Sequence, residues 1–304
     1  MIQATHDLVL LEGGSFRMGS DEFYPDERPV HEHAVASFLI DRYEVTNAQF
    51  AAFVDDTAYV TVAERELDPA AFPGVEPADL VAGAMVFRPT AGPVDLRNWR
   101  NWWTWQPGAH WRRPFGSDSS IEGRLSHPVV QVAFEDASAY AAWAGLRLTT
   151  EAEHEYAARG GRDGGRFAWG DEPYPDGVPQ ANTWIGHFPY DNQGVGDAAP
   201  VGSFPPNGFG LYDMIGNVWE WTTDYYSPRH LRLGGDPVDA GKRTNLLAAA
   251  SAEEGFPSIS RRVLKGGSHL CSPDYCLRFR PAARSPQAED TGMSHIGFRC
   301  ARDA

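Results

Sequence analysis

Residues 266–284 read G-G-S-H-L-C-S-P-D-Y-C-L-R-F-R-P-A-A-R and hold two of the chain's three cysteines, Cys271 and Cys276. Ser268 lies just upstream, and Arg278, Arg280 and Arg284 follow. Ser272-Pro273-Asp274 is turn chemistry, so the chain folds back there and two thiols five positions apart can meet. The Gly and Pro punctuation leaves no room for a helix, which makes this segment irregular β structure. What the two thiols do when they meet is decided by the sequence around them.

A chain of 304 residues allows one large domain or two ordinary ones, and no internal repeat or clean linker divides it. An apolar content of 42% and an aromatic content of 12% fill a core, which excludes a disordered or fibrous chain. Thirty-one glycines and 23 prolines point to many turns and long loops rather than a helix bundle. No apolar run approaches the ~20 residues that span a bilayer. Met1 and the residues after it lack a basic stretch followed by an apolar block, so no secretory signal is visible and a cytoplasmic location is expected. An odd number of cysteines fits a reducing compartment rather than a disulfide scaffold. The net charge of −15 argues against nucleic acid, which needs clustered Lys and Arg. It is compatible with a basic peptide, with bound cations, or simply with solubility.

Read in order, residues 8–19 give a strand, a Gly-Gly turn and a second short strand. Residues 21–32 are acidic and Pro-broken, hence a loop, and 34–40 form a strand. Thr46 with Gln49 has capping-box spacing, and Phe50, Phe53 and Val54 continue a helix to about Asp56. From 57 to 92 the pattern is weak, broken by Pro69, Pro73 and Pro77. Residues 127–132 read as a strand and 135–145 as a helix ended by Gly145. Thr150 and Glu153 cap another helix that stops at Gly160-Gly161. After Gly161 short strands and turns are expected, with no helix of normal length, up to a last strand over 295–300. The fold expected is α+β, a single domain over 1–304 with little regular secondary structure.

Trp99, Trp102, Trp103, Trp105 and Trp111 fall within thirteen residues, interleaved with Arg97, Arg100, Arg112 and Arg113. Such a run makes either a groove wall that grips an extended peptide or the packing of a long irregular loop. Trp102, Trp103 and Trp111, with Arg278, are the candidate substrate-binding residues.

Cys-x4-Cys is not the Cys-x2-Cys of zinc ribbons, and no second Cys/His pair matches it, so a four-ligand zinc site does not follow. Two thiolates suit a soft, low-coordinate ion such as copper(I), or a redox-active disulfide, or they are an inert buried pair. Cys300 reads as a small buried hydrophobe. A second constellation, G-L-Y-D-M-I-G-N-V-W-E-W over 210–221, places Asp213 and Glu220 around the backbone oxygens of Gly216 and Val218. That mixture suits calcium, unless Asp213 is a turn residue and Glu220 pairs with an arginine.

These residues name a family. Gly13-Gly14-Ser15-Phe16, Glu44-Val45-Thr46-Asn47, Trp111-Arg112-Arg113-Pro114, His127-Pro128-Val129, Asn182-Thr183-Trp184, Gly216-Asn217-Val218-Trp219-Glu220-Trp221, Lys265-Gly266-Gly267-Ser268 and Gly297-Phe298-Arg299-Cys300 run nearly the whole length. The chain resembles the formylglycine-generating enzymes, the sulfatase-modifying factors, whose fold is related to C-type lectins. The specific mark is Gly-Gly-Ser-x-x-Cys-x4-Cys followed by Arg-x-Arg and Ala-Ala-Arg.

The resemblance implies an oxygen-dependent oxidase that turns the cysteine of a Cys-x-Pro-x-Arg segment in an unfolded sulfatase into Cα-formylglycine. It implies copper(I) on Cys271 and Cys276, with the substrate cysteine as a third thiolate and O2 as co-substrate. Ser268 and Trp219 match the active-site serine and the tryptophan of the oxygen pocket. Structural calcium is implied at Asp213, Gly216, Val218 and Glu220. Asn182, Thr183 and Asp197 match a second calcium site beside a loop over 192–200 that is shorter than in relatives. His269, His154 and Ser272-Pro273-Asp274 depart from the commoner residues. A monomer is expected. Two other readings use the same residues: a thiol–disulfide oxidoreductase, and a non-catalytic ligand-binding module. An iron-dependent sulfoxide synthase would need a further helical domain and an H-x3-H-x-E triad, and neither is present.

Overall fold

The computed structural model describes residues 5–69, 76, 80–230, 240–252 and 259–304; Pro73 and Pro77 lie outside them. In chain order the strands are β1 (Leu8–Leu11), β2 (Gly14–Met18), β3 (His31–Val35) and β4 (Phe38–Asp41), followed by helix α1 (Asn47–Thr57). A hairpin of β5 (Gly83–Phe87) and β6 (Trp103–Pro107) precedes α2 (Phe134–Trp143), β7 (Arg147–Leu148) and α3 (Glu151–Arg159). The remainder is β8 (Trp219–Tyr225), α4 (Ala240–Ser251), β9 (Arg261–Lys265), β10 (Arg284–Ala288), β11 (Ile296–Gly297) and β12 (Cys300–Asp303).

Two four-stranded sheets organise the domain, one in the order β1-β4-β12-β7 and the other β10-β9-β8-β11. In β8 the four residues from Trp219 to Thr222 are all buried, so both faces of this inner strand are covered. The main core joins Trp219 and Trp221 of β8 to Phe50 and Phe53 of α1, Tyr140 of α2, and Phe298, Cys300 and Cys271. The mixed, helix-poor α+β domain read from the sequence is the one found. Among the described residues no helix is long and apolar enough to cross a membrane.

The capping boxes formed as their spacing dictates. Gln49 donates its backbone N–H to the Thr46 hydroxyl at 3.3 Å, and Thr46 N–H donates to Gln49 Oε1 at 2.8 Å. In α3 the Thr150–Glu153 box repeats this at 3.1 and 2.8 Å, and Gly160 ends the helix in the left-handed region at φ 57°.

Five local expectations fail for identifiable reasons, one being the last strand over 295–300, which is two: β11 pairs with β8 in one sheet and β12 with β4 and β7 in the other. Residues 127–132 form no strand, only a single bridge from Pro128 to Thr46, and Gln131 at φ 61° breaks the extended run. The strand expected over 34–40 is two, β3 pairing with β2 and β4 with β1 and β12. The weak stretch before Gly92 contains β5, whose ladder with β6 supplies what its sequence pattern does not show. A twelve-residue helix, α4, does follow Gly161, in an Ala- and Leu-rich segment of good helix formers.

Buried ion pairs tie the elements together. Glu155 of α3 meets Lys265 of β9 at 2.9 Å and Arg159 at 2.7 Å. Arg284 of β10 reaches Glu151 at 2.8 Å, with both side chains almost wholly buried. Such pairs contribute little net stability, but losing one partner leaves a buried charge uncompensated.

Candidate active site

The glycines that end β9 let the thiol segment fold against the core. Gly266 and Gly267 sit at φ 88° and 78°, and a Cβ on Gly267 would lie 2.8 Å from Arg278 O and 2.9 Å from Phe279 Cα. The chain therefore passes Phe279 with no side chain between them. Ser268 follows, fully buried. Its hydroxyl accepts from Leu270 N–H at 3.2 Å, and its backbone N–H approaches Cys271 Sγ at 3.5 Å.

Cys271 is pinned from both sides. Its N–H donates to Ser268 O, and its C=O accepts from Trp184 N–H, each at 2.9 Å. The turn expected at Ser272-Pro273-Asp274 is present. Ser272 O accepts Cys276 N–H at 2.8 Å, and the Ser272 and Asp274 side chains bond across the turn. This brings the two sulfurs to 3.8 Å, against roughly 2.0 Å in a disulfide, so both thiols are free.

The thiols differ. Cys271 is buried, and desolvation pushes its thiol well above the usual range. Cys276 is half-buried and its thiol is lowered, first by the hydrogen bond with Cys271 and then by the nearby Arg278 guanidinium. Trp219 lies in the same core cluster as Cys271, with its backbone fixed by His295 O at 2.9 Å.

The tryptophan run divides. Trp111 is completely buried, edge-on to Phe50 at 5.1 Å, and Trp102 is 1% exposed. Neither ring offers a face to a ligand, which corrects the substrate-binding expectation for both: the loop uses them as packing. Trp102 instead sits edge-on under Tyr275, which stacks on Phe188 at 4.3 Å in the turn between the cysteines. Trp103 is half-buried against His295 at 4.7 Å, and Trp99 and Trp105 are exposed. Arg278 is satisfied internally by Asp26 at 3.0 Å and by Arg284 O, so its guanidinium is not held out for a substrate.

Of the implied calcium residues, Asp213 and Glu220 lie near enough for their charges to interact. Arg299 grips both oxygens of Glu220 at 2.7 and 2.8 Å, the arginine pairing that the sequence left open. Asp213 accepts from Gly202 N–H at 2.7 Å, and burial raises its carboxyl to about 6. Glu44, which accepts from Asn217 at 2.6 Å, is raised as well, by burial and then by Asp213 and Glu220. Three buried carboxylates thus face one arginine, a surplus of negative charge that fits a cation. Elsewhere, Asn182 Oδ1 and Thr183 Oγ1 are buried without partners, while Asp197 pairs with Arg124 at 2.8 Å. Orphaned oxygens of this kind suit a hard cation. Among the described residues no three His, Cys, Asp or Glu side chains converge as a ready metal cage. Either kind of ion would then rest on two such side chains plus other donors.

Sequence reading missed Tyr24, Asp26 and Glu27, which reach the thiol segment from the loop over 21–32. Their signal was the aromatic-acid order F-Y-P-D-E, unlike a plain solvated loop.

Fold and site together define a class: a mixed α and β domain, rich in irregular loops, built around two reduced cysteines on one tight turn. Residues 2–304 match the sulfatase-modifying factor enzyme 1-like domain. The chain belongs to this family, the formylglycine-generating enzymes, and is an oxidoreductase. It is 60% identical over 301 residues to the formylglycine-generating enzyme of Mycobacterium tuberculosis, covering 98% of each chain. It is 45% identical to that of Streptomyces coelicolor, covering 99% of this chain and 91% of the relative. Among solved structures it is similar to PvdO from Pseudomonas aeruginosa, with a TM-score of 0.62, 27% identity and full coverage of both chains.

Proposed function

We propose that the chain is a copper(I)-dependent, O2-using oxidase that converts the cysteine of a Cys-x-Pro-x-Arg segment in an unfolded sulfatase into Cα-formylglycine. The observation that carries this reading is the free thiol pair 3.8 Å apart, one buried and one half-buried, in the sequence context of the family. Two soft sulfur donors suit copper(I), which would supply the dioxygen activation that no side chain performs alone. Cys271 anchors the closed side of the site and Cys276 the side a substrate thiol can reach. Ser268 and Trp219 shape the buried wall behind Cys271 and keep bulk water from it. Tyr275 and Trp103 are the aromatic surfaces available to the substrate chain, with Trp102 backing Tyr275.

The reaction balances as one substrate thiol, one O2, two electrons and two protons giving one aldehyde, one hydrogen sulfide and one water. A thiol reductant supplies the two electrons. Calcium at Asp213, Gly216, Val218 and Glu220, and at Asn182, Thr183 and Asp197, would neutralise the buried carboxylates and orphaned oxygens described above. A cytoplasmic location, which the odd cysteine count favours, and a monomeric state are part of the same proposal.

The test is mass spectrometry of a Cys-x-Pro-x-Arg peptide after incubation with copper-loaded protein, reductant and air. The peptide becomes lighter by the difference between CH2SH and CHO; an unchanged mass removes the assignment. The split between the two thiols favours one competitor, a thiol–disulfide oxidoreductase. Turnover of thiol equivalents without metal would select it. A protein that bound no copper(I) would instead be a ligand-binding module.

A further inference from the structure

We infer that His31 and His230 form a binding site for a divalent late transition-metal ion such as zinc, in the cavity between β3 and the segment that follows β8. The site uses neither the thiols nor the implied calcium residues, so it stands independently of the function proposed above.

The two imidazoles are brought together by backbone that the fold already fixes. His31 opens β3 and pairs with Met18 of β2 in a two-stranded sheet. His230 lies just after β8, and its N–H donates to Arg28 O at 2.9 Å. The two rings stand 5.1 Å apart, centroid to centroid. Zinc–nitrogen bonds of about 2.0–2.1 Å at a tetrahedral angle put two ring centroids about 5 Å apart. The pair is therefore spaced for one ion.

The nitrogen chemistry fits as well. His31 Nδ1 lies 3.0 Å from Pro29 O, and a carbonyl only accepts, so this nitrogen carries the hydrogen and Nε2 keeps its lone pair. Backbone carbonyls orient metal-ligating histidines in the same way. His230 Nε2 is buried without a partner, and burial lowers its imidazole to about 4, so the ring is neutral near pH 7. An orphaned buried nitrogen calls for a water or an ion. One ion would use both lone pairs at once.

Both histidines line a cavity of about 660 Å³, together with Glu32, His33, Asp224 and Arg229 among others. Burial, and then Glu151, raises the Asp224 carboxyl to about 6, so this wall favours an added positive charge. His33 is exposed, and its ring stands 6.0 Å from that of His31, wider than a tetrahedral ion needs. The site is thus two imidazoles, with water completing the coordination. Nitrogen donors favour zinc and its neighbours over calcium, which takes oxygen.

The test titrates Zn2+ into the untagged full chain carrying Cys271→Ser and Cys276→Ser, so that the thiol pair takes no metal, with calcium in excess at any oxygen sites. One zinc binds per chain and raises the melting temperature. In that background His31→Ala and His230→Ala each weaken binding at least about tenfold, since loss of an outer-shell partner alone costs about 10- to 100-fold, and the zinc-dependent rise in melting disappears. His33→Ala keeps both. The same loss from His31→Ala is read in the wild-type background, and melting in metal-free buffer shows that each variant is folded. Zinc affinity equal to the parent in folded His31→Ala and His230→Ala overturns the site. An equal loss in His33→Ala overturns it too, as does a parent that binds no zinc once Cys271 and Cys276 are replaced.

Discussion

Cys271 and Cys276 face each other with their sulfurs 3.8 Å apart, one closed into the core and the other at its edge. The two are not equivalent, since Cys271 is buried and Cys276 half-buried. Cys271→Ser and Cys276→Ser should each abolish stoichiometric copper(I) binding and reduce peptide conversion to the uncatalysed background. Copper titration and peptide mass spectrometry check this. Full activity in either variant would remove the metal assignment.

Calcium should matter for stability rather than for chemistry. Stripping divalent ions with a chelator should lower the melting temperature, and adding calcium should restore it, because an ion that binds only the native state stabilises it by mass action. Asn182→Ala removes a buried oxygen donor and should shrink the calcium-dependent part of the shift. No response to chelator or calcium would mean that the orphaned oxygens serve another purpose.

The tryptophans offer a test of burial against recognition. Trp111→Ala leaves a cavity in the core and should cost about 3–5 kcal/mol, read by chemical denaturation. Trp105 is 39% exposed, and Trp105→Ala should leave stability within about 0.5 kcal/mol. If Trp111→Ala melted like wild type while raising only KM, the groove reading would return.

Acid should act through the buried pair at Glu155. Burial opposes its charge, but Lys265 and Arg159 outweigh burial and hold its carboxyl at about 2. A depressed folded value means the unfolded chain takes up protons first, so this contribution is complete above the unfolded value near 4.5 and is lost as pH falls toward 2. Its size is on the order of a few kcal/mol. Denaturation curves between pH 5 and 2.5 should steepen through this window in wild type, and Glu155→Gln should be less stable at pH 5 with a flatter acid profile.

Much of the domain was legible because much of it is local. The Thr46–Gln49 and Thr150–Glu153 boxes need only four residues, and the turn at Ser272-Pro273-Asp274 needs three. What stayed hidden depends on distant partners. β5 becomes a strand through β6, Trp111 becomes core through Phe50, and Glu220 is claimed by Arg299. The loop over 21–32 reads as solvated by composition, yet Glu27 is fully buried because Arg280 meets it there. The cysteine pair itself was readable as a pair, but its asymmetry comes from burial that no spacing encodes.

The Glu27–Arg280 pair spans 253 positions of sequence. Although the cysteines sit only five residues apart, the residues just after the second of them are held from the far end of the chain. An excised peptide over 266–284 would keep both thiols and lose these contacts. The surroundings of the reactive pair are thus set by contacts that only the whole fold supplies.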